Sequence, residues 1–295
     1  MSSESSFDPP VNDSAPRRRG RKAKPDAHER DETRMKHDDM DLRKFERIID
    51  GWRTRIKDDN DRKTYDEVFD RQTLMVIYKL FSDGVFDILD FPISTGKEGN
   101  VFRAVTKDGD FLAVKIYRIT NAGFKDLADY VLGDPRFRNS PQRFPGIIYV
   151  WAKKELANLE KFQNIGIRVP HPVTLNRNVL VMEYIGTPEQ PARPLRDYEM
   201  EDPGEMAEWM LGVIRTAYSK GKIVHGDLSE YNVLITDDEP VVIDLAQAVL
   251  LDHWRAQELL ERDVGNVARY FKKFGVGIDA KDELKRIRSG EFDPD

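Results

Sequence analysis

Residues 224–235 read VHGDLSEYNVLI, a polar run holding a histidine, two acids and an asparagine between apolar ends. Polar side chains crowded between strand-like segments mark a turn. The spacing also fits phosphoryl transfer, because His225, Asp227 and Asn232 follow the pattern H-x-D-x-x-x-x-N. Asp227 stands where it can accept or orient the proton of an attacking nucleophile. Asn232 can offer a neutral carbonyl oxygen to magnesium. His225 is expected to brace the loop by hydrogen bonding rather than to titrate. Alone, the run fits several phosphate-handling enzymes, so its meaning depends on what accompanies it.

Three other stretches supply the remaining parts. STGKEGNVF (94–102) is a glycine-containing turn between strands, whose backbone amides can approach phosphate oxygens without Cβ obstruction. Ser94 stands where the usual G-x-G-x-x-G has its first glycine, and a plain hairpin turn reads equally well. LAVKIYR (112–118) points the ammonium of Lys115 out of an apolar strand. Its candidate partner is Glu155 on the helix beginning near Trp151, with Glu160 as the fallback and a solvated face as the alternative for both. VVIDLAQAV (241–249) ends an apolar strand on Asp244, twelve residues beyond Asn232, where it would be a second metal ligand. A lone strand-end aspartate is commonly a cap, but four elements in this order point to one site.

The rest of the chain bounds the reading. At 295 residues it can fold as one two-lobed domain or two small ones. The absence of cysteine excludes disulfides, thiolate metal sites and cysteine nucleophiles, and fits a cytoplasmic location. No apolar stretch approaches the ~20 residues that span a bilayer, so no membrane role is expected. A net charge of −6 argues against a protein that coats nucleic acid with its whole surface. PRRRGRKAKP (16–25) is nevertheless a compact basic run. It lies in a tail, 1–40, expected to be disordered, and reads either as a linker or as an electrostatic grip on RNA.

From Asp41 the period of Leu42, Phe45, Ile49, Trp52 and Ile56 predicts a helix, and Leu74, Ile77, Tyr78 and Phe81 predict another over 70–82, capped by Gly84. These make up an N-terminal helical segment, 41–90. Residues 91–187 read as an antiparallel sheet with an Asp108-Gly109 hairpin, a flexible loop over 119–148, a helix with Trp151, Leu156, Leu159 and Phe162 buried, and the strand RNVLVMEYIG (177–186). Residues 188–295 read as a mainly helical lobe, with a short strand pair around NVLITDDEPVVIDLA (232–246). The fold class is α+β, two lobes meeting at a cleft.

With these motifs set out, the chain resembles the Rio family of atypical kinases. STGKEGNVF, VHGDLSEYNVLI and IDLAQAV look like its nucleotide, catalytic and metal loops. KTYDEVFDRQTLMVIYKL (63–80) and the loop leading into WAKKELANLEKF favour the first subfamily, in its archaeal type without a winged helix. The match runs over roughly 61–275. Gly99 replaces a usual alanine, Phe102 a usual tyrosine, and IDLAQ varies IDVSQ; none of these removes a group that touches phosphate or metal. The resemblance implies a two-lobed protein-kinase-like fold and a serine/threonine kinase or ATPase using ATP with Mg2+, or Mn2+ in its place. It implies that Ser94, Lys97 and the backbone of Gly96 to Asn100, including Gly99, cover the phosphates, and that Lys115, held by Glu155, contacts them. Met182 to Ile185 would form the hinge, with the backbone of Glu183 and Ile185 bonding adenine. Asn232 and Asp244 would hold the metal, and Asp227 would be the catalytic aspartate.

About fifty residues follow Asp244, with no A-P-E segment and no room for a peptide-docking platform. This agrees with the family, whose members are described as forming a phospho-aspartate at the metal-loop position and acting in small-subunit ribosome maturation. The implied partner is a pre-small-ribosomal-subunit particle. Alternatives are a small-molecule phosphotransferase or the small kinase of the tRNA-modification complex, both with similar H-G-D-L loops, and a nucleotide-gated RNA-binding scaffold.

Overall fold

The computed structural model describes residues 69–290 except 97, 98, 120–123, 142, 237 and 238, and only the backbone of 124–126. The basic run, the helix expected from Asp41, and Lys97 lie outside the described residues. Helix α1 (Arg71–Ser82) begins because Asp70, extended at φ −65°, ψ 163°, accepts from the Thr73 N–H at 2.7 Å. It ends at Asp83 and Gly84, the latter at φ 73° as expected of a C-terminal glycine. Its buried face is Thr73, Leu74, Val76, Ile77 and Leu80, whereas Phe81 is exposed and Tyr78 only half-buried. The expected stripe was rotated: Leu74 and Ile77 were read correctly, and Leu80 does the packing assigned to Phe81.

Strands β1 (Ile88–Thr95), β2 (Gly99–Val105), β3 (Phe111–Tyr117), β4 (Pro172–Asn176) and β5 (Val179–Glu183) form one antiparallel sheet in the order β1-β2-β3-β5-β4. The period of two splits β2 cleanly. Asn100, Phe102 and Ala104 are buried on the outer face, while Val101, Arg103 and Val105 face the other way, half-covered. Helix α1 covers the outer face, with Phe69 against Phe102 at 5.3 Å and Asn178 Nδ2 donating to Thr73 Oγ1 at 2.8 Å. Gly109 at φ 90° turns the β2–β3 hairpin.

The stretch expected as a flexible loop over 119–148 is largely helical. Helix α2 (Phe124–Leu132) and a 3-10 turn (Pro135–Phe137) bury Leu127, Tyr130, Val131 and Phe137, and helix α3 (Gly146–Asn164) begins five residues before Trp151. Phe124, Leu127, Ala128 and Val131 do stand at i, i+3, i+4 and i+7, but the period lasts only two turns between runs rich in Gly, Pro, Asn and Arg, and so short a helix is not stable by itself. Tertiary packing against α3 stabilises it instead; each such side chain contributes ~1.5–3 kcal/mol when fully buried. Trp151, Leu159 and Phe162 are buried as expected; Leu156 is half-buried.

Beyond β5 come β6 (Arg193–Pro194), helix α4 (Pro203–Thr216), a π-helical turn (Ala217–Gly221), and four short strands: β7 (Ile223–Val224), β8 (Val233–Thr236), β9 (Glu239–Val242) and β10 (Val249–Leu250). Helices α5 (Ala256–Lys272) and α6 (Ala280–Ser289) follow. Among the described residues no helix is long and apolar enough to cross a membrane.

Candidate active site

Two ladders bring the loops of the site together. β8 pairs with β9 (Val233↔Val242), and β7 pairs with β10 (Val224↔Val249). Residues 225–232 run from β7 to β8, and 243–248 run from β9 to β10, so the two loops are tied to each other at both ends. Cross-links fasten them in between: the Ile243 N–H donates to the Asn232 carbonyl at 3.0 Å. The β8–β9 hairpin is legible in sequence, but a two-residue ladder such as β7–β10 leaves no periodic trace.

His225 is the second cross-link. Its Nδ1 lies 3.2 Å from the Asp227 N–H, which makes Nδ1 the acceptor, so Nε2 carries the proton and donates to the Ile243 carbonyl, also at 3.2 Å. Burial holds its pKa down to about 4 against the nearby carboxylate of Asp244. The ring is therefore a neutral brace, as the sequence suggested. The unfolded chain takes up a proton near 6.5 that the native ring refuses until about pH 4. His225 therefore makes native stability fall as pH drops through that window, by up to about 3 kcal/mol. Melting curves from pH 7 to 4.5 should show a shallower acid loss in His225→Gln than in the unaltered protein.

Asp227 and Asn232 are adjacent. Asn232 Nδ2 donates to the Asp227 backbone carbonyl at 2.9 Å and reaches its Oδ2 at 3.4 Å. Arg262 Nη2 stands 4.0 Å from Asp227 Oδ1. Burial raises the Asp227 pKa, Arg262 opposes it, and Asp244 adds to it. Asp244 shifts the other way: Lys115 outweighs the cost of burial and holds its carboxyl below the usual range. Asp244 sits at φ 61°, a left-handed conformation that aspartate tolerates and β-branched residues do not.

Lys115 joins the sheet to Asp244 and to helix α3. Its Nζ lies 2.8 Å from Glu155 Oε1 and 2.9 Å from Asp244 Oδ1. Burial works against the charge, but the two carboxylates together raise its pKa. Glu155 is 1 % exposed on α3, whereas Glu160 is on the solvent side, so geometry selects the former. Gly96 closes the glycine turn by donating to the Gly99 carbonyl at 2.9 Å. With the backbone as it stands, a Cβ at Gly99 would lie 2.3 Å from the Ile116 carbonyl oxygen, so the alanine usual in the family needs β2 and β3 to sit differently at this end. Ser94 is exposed. The Asn100 side chain is buried and accepts from Arg118 at 3.3 Å, so only its backbone belongs to the turn.

In the segment expected as the hinge, Met182 pairs with Ala113, on the face that carries Lys115. The Glu183 N–H donates to the His171 carbonyl at 2.7 Å, and the Ile185 carbonyl accepts from Ala192 at 3.0 Å. The Glu183 carboxylate takes a bidentate pair from Arg168 at 2.6 and 2.8 Å.

Several residues of the site escaped the sequence reading. Asp263 on α5, fully buried, accepts from the Gly226 N–H at 2.8 Å and the Leu228 N–H at 2.9 Å, holding the 225–232 loop from below. Burial pushes its carboxyl up to about 7 despite these donors. Lys154, beside Glu155 and fully buried, donates to the carbonyls of Ala246 (2.8 Å) and Ala248. Asn158 donates to the Leu245 and Ala248 carbonyls at 2.7 and 3.0 Å. Helix α3 thus grips Asp244 through Lys115 and the backbone that follows it through Lys154 and Asn158. Burial depresses the Lys154 pKa to about 7, with Asp134 opposing. A signal existed for Asp263, which falls on the same stripe as Leu259, Leu260, Val264 and Val267.

A family model described as the RIO domain matches residues 100–284. The RIO-type serine/threonine-protein kinase Rio1 of Haloferax volcanii is 44% identical over 253 residues, covering 86% of this chain and 87% of the relative. Its counterpart in Methanocaldococcus jannaschii is 38% identical over 234 residues, 79% of this chain and 80% of the relative. The human serine/threonine-protein kinase RIO1 is 37% identical over 78% of this chain, which spans 41% of that longer protein. Among solved structures, the Rio2 kinase–ADP/Mg2+–phosphoaspartate complex from Chaetomium thermophilum superposes with a TM-score of 0.57 at 21% identity, covering 72% of this chain and 65% of that one. At that identity the likeness concerns the fold. The matched region contains Lys115, Glu155, Asp227, Asn232 and Asp244, and on these sequence matches the chain belongs to the RIO family, as a RIO-type serine/threonine-protein kinase of the Rio1 kind.

Proposed function

We propose that the site binds ATP with Mg2+ and transfers the γ-phosphoryl group to Asp244, whose hydrolysis completes an ATPase cycle used in small ribosomal subunit maturation. The observation that carries this reading is Lys115 held between Glu155 and Asp244, next to the Asp227–Asn232 pair. The description of the Rio2 structure, with ADP, Mg2+ and phosphoaspartate, supports it.

Met182 to Ile185 form the hinge of this reading. The Ile185 N–H has no hydrogen-bond partner among the described residues, which suits it to adenine, alongside the Glu183 backbone. The turn from Ser94 through Gly96, Lys97 and Gly99 to the Asn100 backbone covers the phosphates, and Lys115 pairs with them. Asn232 and Asp244 fit Mg2+: Asn232 spends its Nδ2 on Asp227, and Asp244 gives one oxygen to Lys115. Asn232 Oδ1 and Asp244 Oδ2 are then left without a partner among the described residues. Two protein oxygens with phosphate and water completing the shell are the usual Mg2+ arrangement. Held there, the ion would supply charge neutralisation to the phosphate being transferred.

The two carboxylates divide the work because their environments shift them apart. Asp244, kept ionised by Lys115, attacks the γ-phosphorus through one oxygen as the bond to the β-phosphate oxygen breaks and ADP takes the electron pair. Water then attacks the acyl phosphate and gives its proton to Asp227, releasing phosphate and restoring Asp244. The partner of this reading is a pre-small-ribosomal-subunit particle, gripped in part by the basic run 16–25.

Protein labelled with γ-labelled ATP should lose its label in hydroxylamine, which cleaves acyl phosphates but not phosphoserine, and Asp244→Asn should not label at all. Label that survives both overturns the phospho-aspartate. Turnover should rise when small-subunit precursors are added; a rate indifferent to them removes the maturation role and leaves the ATPase.

A further inference from the structure

Arg103 lies in β2 directly opposite Ala113, and Val101 lies opposite Lys115. Ala113 in turn faces Met182. Residues paired across antiparallel strands share a face, so Arg103 is on the face that carries Lys115, one pleat from the Lys115 row and toward Met182. Its side chain is only 13% exposed, and every side of the guanidinium is engaged. Nε donates to Asp90 Oδ2 of β1 at 3.0 Å, and Nη2 donates to the same oxygen. The rings of Phe91 and Phe111 flank it, with centroids 4.5 and 4.8 Å from Cζ. Phe111 also lies 5.9 Å from the ring of Tyr184, inside the hinge.

The remaining bond leaves the β1–β2 hairpin: Nη1 donates to the Pro188 carbonyl at 2.6 Å. Pro188 sits at the tip of a tight turn after the hinge. That turn is closed by Thr187 N–H to Gln190 O at 2.9 Å, Ala192 N–H to Ile185 O at 3.0 Å, and a bridge between Gly186 and Pro191. Gly186 holds φ 150° there, and a Cβ would meet the Gln190 carbonyl at 2.6 Å, so the turn has little freedom to follow a moving partner. The bond therefore joins the β1–β2 hairpin, which carries the glycine turn, to a stiff projection of the hinge.

We propose that Arg103 is a positioning residue, a strap that holds the β1–β2 hairpin down on the post-hinge turn and sets how fast nucleotide leaves the cleft. This rests on the ATP-site reading above. Lifting the hairpin to release nucleotide must break this charged hydrogen bond, which is open to solvent at its Pro188 end while the guanidinium itself is held between two rings and by Asp90. Losing such a bond is expected to speed release about tenfold.

The test is stopped-flow release of a fluorescent N-methylanthraniloyl-ADP from the full chain in Mg2+. Arg103→Met keeps the stem but not the donors and should release about tenfold faster, with the KM for ATP raised. Arg103→Lys cannot reach Asp90 and Pro188 together and should also release faster, though less so. Asp90→Asn, which leaves Arg103 in place, should give a smaller acceleration and covers the case in which Arg103→Met does not fold. A residue with only a structural role would lower the melting temperature and leave the release rate unchanged. Binding by the unaltered protein with variants within twofold of its rate overturns the strap alone; no binding by the unaltered protein overturns the ATP site and the strap together.

Discussion

Asp227→Ala lowers the turnover of MgATP about a thousandfold, within the range lost when a positioned general base is removed. Nucleotide affinity should stay within a fewfold, because Asp227 makes none of the contacts assigned to adenine or phosphate. The loop itself should survive. Asn232 holds it through the Asp227 backbone carbonyl at 2.9 Å, which alanine retains, and loses only the longer 3.4 Å contact to the side chain. The Asp227 N–H still meets His225 Nδ1 at 3.2 Å. The loss should therefore fall on kcat rather than KM, the pattern of an interaction made in the transition state. Steady-state hydrolysis with a melting curve for the same preparation checks this. Unchanged turnover removes Asp227 from the catalytic role.

The second large effect lies outside the motifs. Asp263→Ala should destabilise the protein by about 3–5 kcal/mol, since two buried N–H groups, of Gly226 and Leu228, each lose their acceptor at ~1–3 kcal/mol and a cavity remains. Water cannot readily replace the carboxylate, because Asp263 and Leu228 are fully buried and the Gln247 carbonyl lies 3.1 Å from where a Cβ of Gly226 would stand. Turnover should fall as well, for the freed loop carries both Asp227 and Asn232. Denaturant unfolding with the slope compared between variants isolates the stability term. A midpoint equal to that of the unaltered protein shows that Asp263 does not hold the loop.

Much of the site could be read from residue order alone. Lys115, Asp227, Asn232 and Asp244 stand out because phosphoryl transfer demands particular groups and each lies in a local frame of strand or turn that a short window can display; the structure brings Lys115 to Asp244 and Asn232 to Asp227. Helix α1, the Asp108-Gly109 hairpin and β5 were found for the same reason: cap, turn residue and apolar period are all local. The helix over 124–132 carries an apolar period of only two turns, at Phe124, Leu127, Ala128 and Val131, which the Gly-, Pro- and Arg-rich surroundings obscure. The stripe of α1 was rotated because Leu80 and Phe81 are equally apolar, and only the sheet beneath decides between them.

What the sequence determined by itself was the set of candidate groups: a lysine, two carboxylates and an asparagine in a fixed order along the chain. What only the tertiary structure decided was their meeting. Lys115 and Asp244 are 2.9 Å apart though 129 residues separate them. The two loops face each other because a pair of short ladders, β7–β10 and β8–β9, ties both ends of each to the other. Lys154, Asn158 and Asp263 act through backbone carbonyls and amides, which every residue carries. No side-chain pattern can announce such a partner; only the fold brings it within hydrogen-bonding reach.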